Sequence, residues 1–182
     1  MSNFKSLALG ALFMATAMSA TAKDNIDYVD PFIGTTNFSV CNPGAVRPHG
    51  LMSVVPFNVM GSELNTYDKD KRWWSANYEY TNKYFTGFAH VTLSGVGCPE
   101  MGTLLTMPTT GELNVDYTSY GSEYTNEVAH PGYYSNQLTK YGIRCEVTST
   151  MRSSIERYTF PAGKGNLLFN LGNGLTNEIG AT

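Results

Sequence analysis

The stretch Gly87 to Gly102, GFAHVTLSGVGCPEMG, threads an imidazole, two hydroxyls, a thiol and a carboxyl through four glycines. If the strand alternates, His90, Thr92 and Ser94 share one face, and Val91 and Leu93 share the other. Three polar groups on one face, running into a glycine-rich turn, can line a polar pocket; His90 alone could equally be a hydrogen-bonded strand histidine. A second polar group, Arg47 and His49, stands in the turn-rich NPGAVRPHG. The pair Trp73-Trp74 follows the charged run Asp68 to Arg72. Adjacent strand side chains point opposite ways, so one Trp can enter the core while the other stacks on the apolar face of a sugar; both can also be core. Hydrolysis of a glycosidic bond needs two carboxyls flanking it. Asp68 and Asp70 read as solvated surface charges and Glu100 stays open, but no spacing marks an acid–base pair. Gly95-x-Gly97 is no dinucleotide fingerprint: the third glycine is missing and Pro99 stands where the helix would begin. There is no phosphate-loop, Gly-x-Ser-x-Gly or His-Glu-x-x-His motif.

The elements that must hold these groups read as strands. Leu51 to Pro56, Phe85 to Leu93, Leu104 to Met107, Tyr134 to Lys140, Ile143 to Met151, Ile155 to Phe160 and Asn166 to Leu171 are short runs rich in β-branched or aromatic residues, broken by turn chemistry. The later ones predict an antiparallel meander. Ile143, Cys145, Val147 and Met151 fall on one face of their run, with Arg144, Glu146, Thr148, Thr150 and Arg152 on the other. Gly61 to Arg72 reads as a long polar loop, and no helical stripe exceeds two turns. The expectation is an all-β antiparallel sandwich, incomplete at its C-terminal end because a good strand is followed only by GNGLTNEIGAT.

The first 22 residues carry one cation, Lys5, an apolar run from Leu7 to Met18, and the small-x-small Ala20-Thr21-Ala22. This pattern predicts a secretory signal over residues 1–22 and a secreted or periplasmic domain over 23–182. The run is too short to span a bilayer comfortably, and no other is longer. A formal net charge of -3, with no basic stripe, argues against nucleic acid and anionic membrane as partners. Three cysteines in an exported chain leave at least one thiol unpaired, and their spacing names no pair. Aromatics make up 13 % of the chain, which suits strands and sugar binding alike.

Six blocks occur in one order: YVDPFIGT, NPGAVRPHG, GFAHVTLSGVGC, LLTMPTTGEL, AHPGYYSNQL and YGIRCEVTSTMRSSIERYTFP. Together, from Tyr28 to about Leu171, they resemble the N-terminal domain of glycoside hydrolase family 92, the calcium-dependent exo-α-mannosidases. The resemblance implies a β-sandwich beside a C-terminal helical (α/α)₆ domain, with the active site in the cleft between them. It implies inverting hydrolysis of mannose-containing glycans, α-1,2 linkages among them, with a Glu acid, an Asp base and the calcium ligands placed mainly on the helical domain. This chain would then hold no catalytic residue and supply one substrate-binding wall. That wall would comprise His90, Ser94, Gly95, Gly97 and Cys98, with Arg47 and His49 on the same side and Trp74 at the leaving-group subsite. Where family members carry a second polar residue, this chain has Val91, which bears on linkage preference. The alternative is a free-standing carbohydrate-binding sandwich without catalysis.

Overall fold

The computed structural model describes residues 23–36, 41–58, 77–92, 102–116 and 118–171. After a 3₁₀ turn at Asn25–Tyr28, the described strands are β1 (Ala45–Val46), β2 (Ser53–Phe57), β3 (Tyr84–Phe85), β4 (Gly87–His90), β5 (Leu104–Thr110), β6 (Ser122–His130), β7 (Tyr133–Leu138), β8 (Ile143–Ser149), β9 (Ser154–Thr159) and β10 (Gly165–Asn170). They form two antiparallel sheets, one ordered β1-β2-β4-β5-β10 and the other β3-β6-β7-β8-β9. The all-β sandwich is the observed architecture. Among the described residues no helix is long and apolar enough to cross a membrane.

The expected meander is present over β7, β8 and β9, each pairing with the next, and β6 adds one more antiparallel strand at its start. Pro131-Gly132 turns β6 into β7, with Gly132 at φ 79°, a conformation glycine adopts without steric cost. β8 alternates as its sequence demands, with Ile143, Cys145 and Val147 buried against the facing sheet. It ends at Ser149, however, so Met151 leaves the core face and stands exposed in the turn that follows. β10 does not continue the meander; it crosses to the other sheet and pairs with β5.

The expected strand from Phe85 to Leu93 is two strands. β3 pairs with β6 in one sheet, while β4 pairs with β2 and β5 in the other. The corner is made by Thr86, whose N–H donates to Phe57 O at 2.9 Å, and by Gly87 at φ 147°. A Cβ on Gly87 would lie 2.1 Å from Leu105 Cδ2 and 2.7 Å from Thr106 O, so only glycine lets the chain pass from sheet to sheet here. The switch leaves Phe85 and Phe88 edge-to-face at 4.8 Å, and Phe88 edge-to-face with Tyr134 at 5.9 Å. This aromatic cluster joins the two layers.

β6 was not expected, because SEYTNEVAH is polar and its burial pattern is irregular. Its register shifts between Thr125 and Val128, and Asn126 sits at φ 51°. Such a bulge re-aims one side chain. Here the Glu127 carboxylate accepts hydrogen bonds from Tyr134 (2.7 Å), Tyr78 (2.8 Å) and Lys83 Nζ (3.1 Å).

Candidate functional site

β4 stops at His90 because Val91 adopts φ 54°, a left-handed conformation that β-branched residues rarely take. The alternation therefore breaks one residue after His90. Thr92 does not join His90 on a shared face; its N–H donates to Ser53 Oγ at 3.0 Å and its hydroxyl lies 3.3 Å from the same oxygen.

His90 is buried between the sheets. Its Nδ1 lies 3.1 Å from Leu104 O, and its Nε2 is hydrogen-bonded to Glu156 Oε1 of β9, in the opposite sheet. A carbonyl only accepts, so Nδ1 carries a proton. Burial pulls the His90 pKa down, but the hydrogen bond and charge of Glu156 outweigh it, and the net shift is upward. Burial pushes Glu156 up, but hydrogen bonds from His90, Tyr158 and Thr106 outweigh it, and the net shift is downward. Both directions describe an imidazolium–carboxylate pair, doubly donating at His90. The second carboxylate oxygen accepts from Thr106 Oγ1 at 2.8 Å and from the Tyr158 hydroxyl. Thr106 belongs to β5 and Tyr158 to β9, so this network also bridges the layers.

The pair lies in an open groove of ≈ 510 Å³, walled by Val91, Leu104, Tyr158, Leu167 and Phe169. Phe169 and Thr106 are register partners on β10 and β5, which sets the exposed ring beside the polar floor.

Arg47 and His49 are exposed in a turn closed by Gly50 N–H to Arg47 O at 2.8 Å. Pro48 at the second position and His49 at φ 60° in the third give it the form of a type II turn. Leu51 N–H then donates to Met151 O at 2.9 Å, hooking the connection to the turn after β8. Arg47 and Pro48, with Pro131, Gly132, Thr148 and Ser149, line a second recess of ≈ 370 Å³. β2 and β9 begin, and β4 and β8 end, at this end of the sandwich. His90 and Arg47 therefore share one end of the fold but face different recesses. Trp74, Ser94, Gly95, Gly97 and Cys98 lie outside the described residues, as do Trp73, Asp68, Asp70 and Glu100. Cys41 is exposed and Cys145 buried, both as free thiols, and burial pushes the Cys145 thiol up.

Sequence reasoning missed Thr106, Glu156 and Tyr158. In β9 the polarity is inverted: Ile155 is 69 % exposed, while Glu156 and Tyr158 turn inward. Hydrophobicity alone would aim this strand the other way. The usable signal was the alternation Ser154-x-Glu156-x-Tyr158, a polar stripe that His90 could neutralise.

Comparison with known proteins adds to this geometry. The family description "Glycosyl hydrolase family 92 N-terminal domain" matches residues 28–182. The fold is similar to the family GH92 α-mannosidase BT3965 from Bacteroides thetaiotaomicron in complex with mannoimidazole. There the TM-score is 0.71 at 30 % identity, covering 83 % of this chain and 20 % of that one. It is also similar to the GH92 family glycosyl hydrolase ccman5, with a TM-score of 0.67 at 28 % identity, covering 84 % and 21 %. The GH92 inverting mannosidase BT2199 from Bacteroides thetaiotaomicron VPI-5482 shares the fold, with a TM-score of 0.62 at 22 % identity, covering 81 % and 20 %. The chain thus spans about a fifth of the length of these relatives. Comparison with curated proteins gives no match.

Proposed function

The chain belongs to the glycosyl hydrolase family 92 N-terminal domain, and from that membership we propose that it forms one wall of the substrate cleft of a secreted or periplasmic exo-α-mannosidase acting on mannose-containing glycans. The observation that carries this reading is the family match over residues 28–182, supported by the fold shared with an α-mannosidase whose ligand is mannoimidazole. The reaction proposed for the whole enzyme is inverting hydrolysis, α-1,2 linkages included. A carboxylic acid protonates the leaving oxygen and a carboxylate activates water on the opposite face.

That chemistry is assigned to a helical domain beyond this chain. Glu156 is the one carboxylate lining the described groove, and its pKa is shifted downward, away from the raised value that suits a general acid. The chain's own part is positional. The His90–Glu156 pair anchors the end of β4, from which residues 91–101 depart, and those residues carry the Gly95, Gly97 and Cys98 assigned to the sugar wall. Calcium enters the proposal through the family alone. Among the described residues no three His, Cys, Asp or Glu side chains come together to hold a metal, and no step proposed for this chain passes through the ion.

The test is to incubate the 182-residue chain with α-1,2-mannobiose and calcium and to measure free mannose and disaccharide binding. Millimolar binding without turnover is expected. Turnover would overturn the assignment of both catalytic carboxyls to another domain, and binding of galactosides in preference to mannosides would overturn the substrate class.

A further inference from the structure

The floor of the groove has an unusual proton inventory. Thr106 Oγ1 donates to Glu156 Oε2 at 2.8 Å and the Tyr158 hydroxyl donates to the same oxygen. Thr106 Oγ1 and the Tyr158 oxygen lie 3.0 Å apart. Each hydroxyl has one proton, and both are spent on the carboxylate, so each oxygen is left with lone pairs only. Both N–H groups of His90 are likewise committed, to Leu104 O and to Glu156. These four side chains can therefore accept hydrogen bonds but have none to give; the donors left in the groove are the hydroxyls of Ser154 and Thr103. Its ion pair sums to no net charge, which removes any strong preference for a cation over a neutral hydroxyl.

The wall above it is apolar. Phe169 is 60 % exposed and Leu167 lies two residues before it on the same face of β10. The ≈ 510 Å³ volume falls in the usual range of ligand clefts, about 300–1,000 Å³. A ligand that suits both surfaces must bring hydroxyl donors on one edge and a C–H face on the other. We propose that this groove is a pyranose subsite, in which Phe169 supplies the stacking face and Glu156, Tyr158 and Thr106 accept the sugar's hydroxyl protons. The inference rests on the carbohydrate reading above but not on hydrolysis, nor on which sugar is cleaved.

The test titrates methyl α-mannoside, methyl α-glucoside and methyl β-galactoside into the chain, followed by calorimetry and by the His90 ring N–H resonances. Phe169 is exposed and Thr106→Val keeps its shape, so Phe169→Ala and Thr106→Val are the variants, each checked for an unchanged fold by circular dichroism. Expected are a millimolar dissociation constant, a shift of the His90 resonances on binding, at least a ten-fold weakening by Phe169→Ala and a three- to ten-fold weakening by Thr106→Val. Mannoside binding undiminished in both variants would overturn the groove while leaving the mannoside reading intact. Glucoside binding that Phe169→Ala abolishes, with no mannoside binding, would uphold the groove and overturn the mannose assignment. No binding of any of the three sugars, or concentration-dependent dimerisation lost in Phe169→Ala, would assign the apolar edge to another role and overturn the subsite.

Discussion

Glu127 and Glu156 are both mostly buried carboxylates that accept hydrogen bonds from tyrosines, with side-chain exposures of 10 % and 14 %. Their partners differ. Glu127 takes two hydroxyls from a closed tyrosine cluster and a half-exposed Lys83, whose ammonium also lies 4.2 Å from the Tyr80 ring centroid. Glu156 takes a buried imidazolium from the opposite sheet and opens onto a groove. Glu127 therefore stiffens a strand bulge within one layer, whereas Glu156 clasps two layers together. The same carboxylate–tyrosine chemistry is structural where it is closed off and available to a ligand where an edge leaves it open.

Four measurements would break or sharpen that contrast. The largest effect is expected from Glu156→Ala, which strands an imidazolium between the sheets and should cost about 3–5 kcal/mol in urea unfolding. Glu127→Gln keeps an acceptor and a similar shape but removes the charge that Tyr78, Tyr134 and Lys83 share; its cost should be smaller, about 1–3 kcal/mol. If the two values came out equal, the distinction between clasp and stiffener would fail.

The third measurement is the pH dependence of the melting temperature. His90 has a raised folded pKa, so its contribution is full below its ordinary value of 6.5 and fades as pH rises through the raised value. Glu156 has a lowered folded pKa, so its contribution is full above its ordinary 4.5 and fades as pH falls through the lowered value. The pair thus stabilises fully between about pH 4.5 and 6.5, and the double variant His90→Gln/Glu156→Gln should flatten both limbs. Limbs that persist unchanged would place the titration elsewhere. Smallest of all, Lys83→Met should shift stability by under about 1 kcal/mol, as half-exposed ion pairs do.

The sequence disclosed those parts of the fold in which side-chain period and environment agree. β8 is the clearest case, with three apolar residues inward and three polar ones outward. β6 was hidden because its bulge resets the period midway; β9 was legible as a strand but not its inward face, because a carboxylate stands where an apolar residue would and finds its counter-charge 66 positions away. The corner at Thr86-Gly87 escaped notice for a related reason: the run Tyr84 to His90 is uniformly strand-like, and only the packing of Leu105 reveals why it must bend. His90 was legible as a polar residue in an apolar strand. That it faces a groove while Arg47 lines a separate recess depends on how the two sheets pack, which no local pattern announces.

The crossing of β10 has a consequence for how the nascent chain matures. Asn166 reaches the Thr109 hydroxyl over 57 residues, a closure whose entropic cost must be met before any contact rewards it. The hairpins of β6 to β9 can assemble first. Until they do, the flank of β5 that receives β10 stays bare, and a growing polypeptide caught in that interval offers an open edge to its neighbours. Slowing translation just after the meander, before β10 emerges, would prolong that exposure, and removing β10 would send the chain toward aggregates.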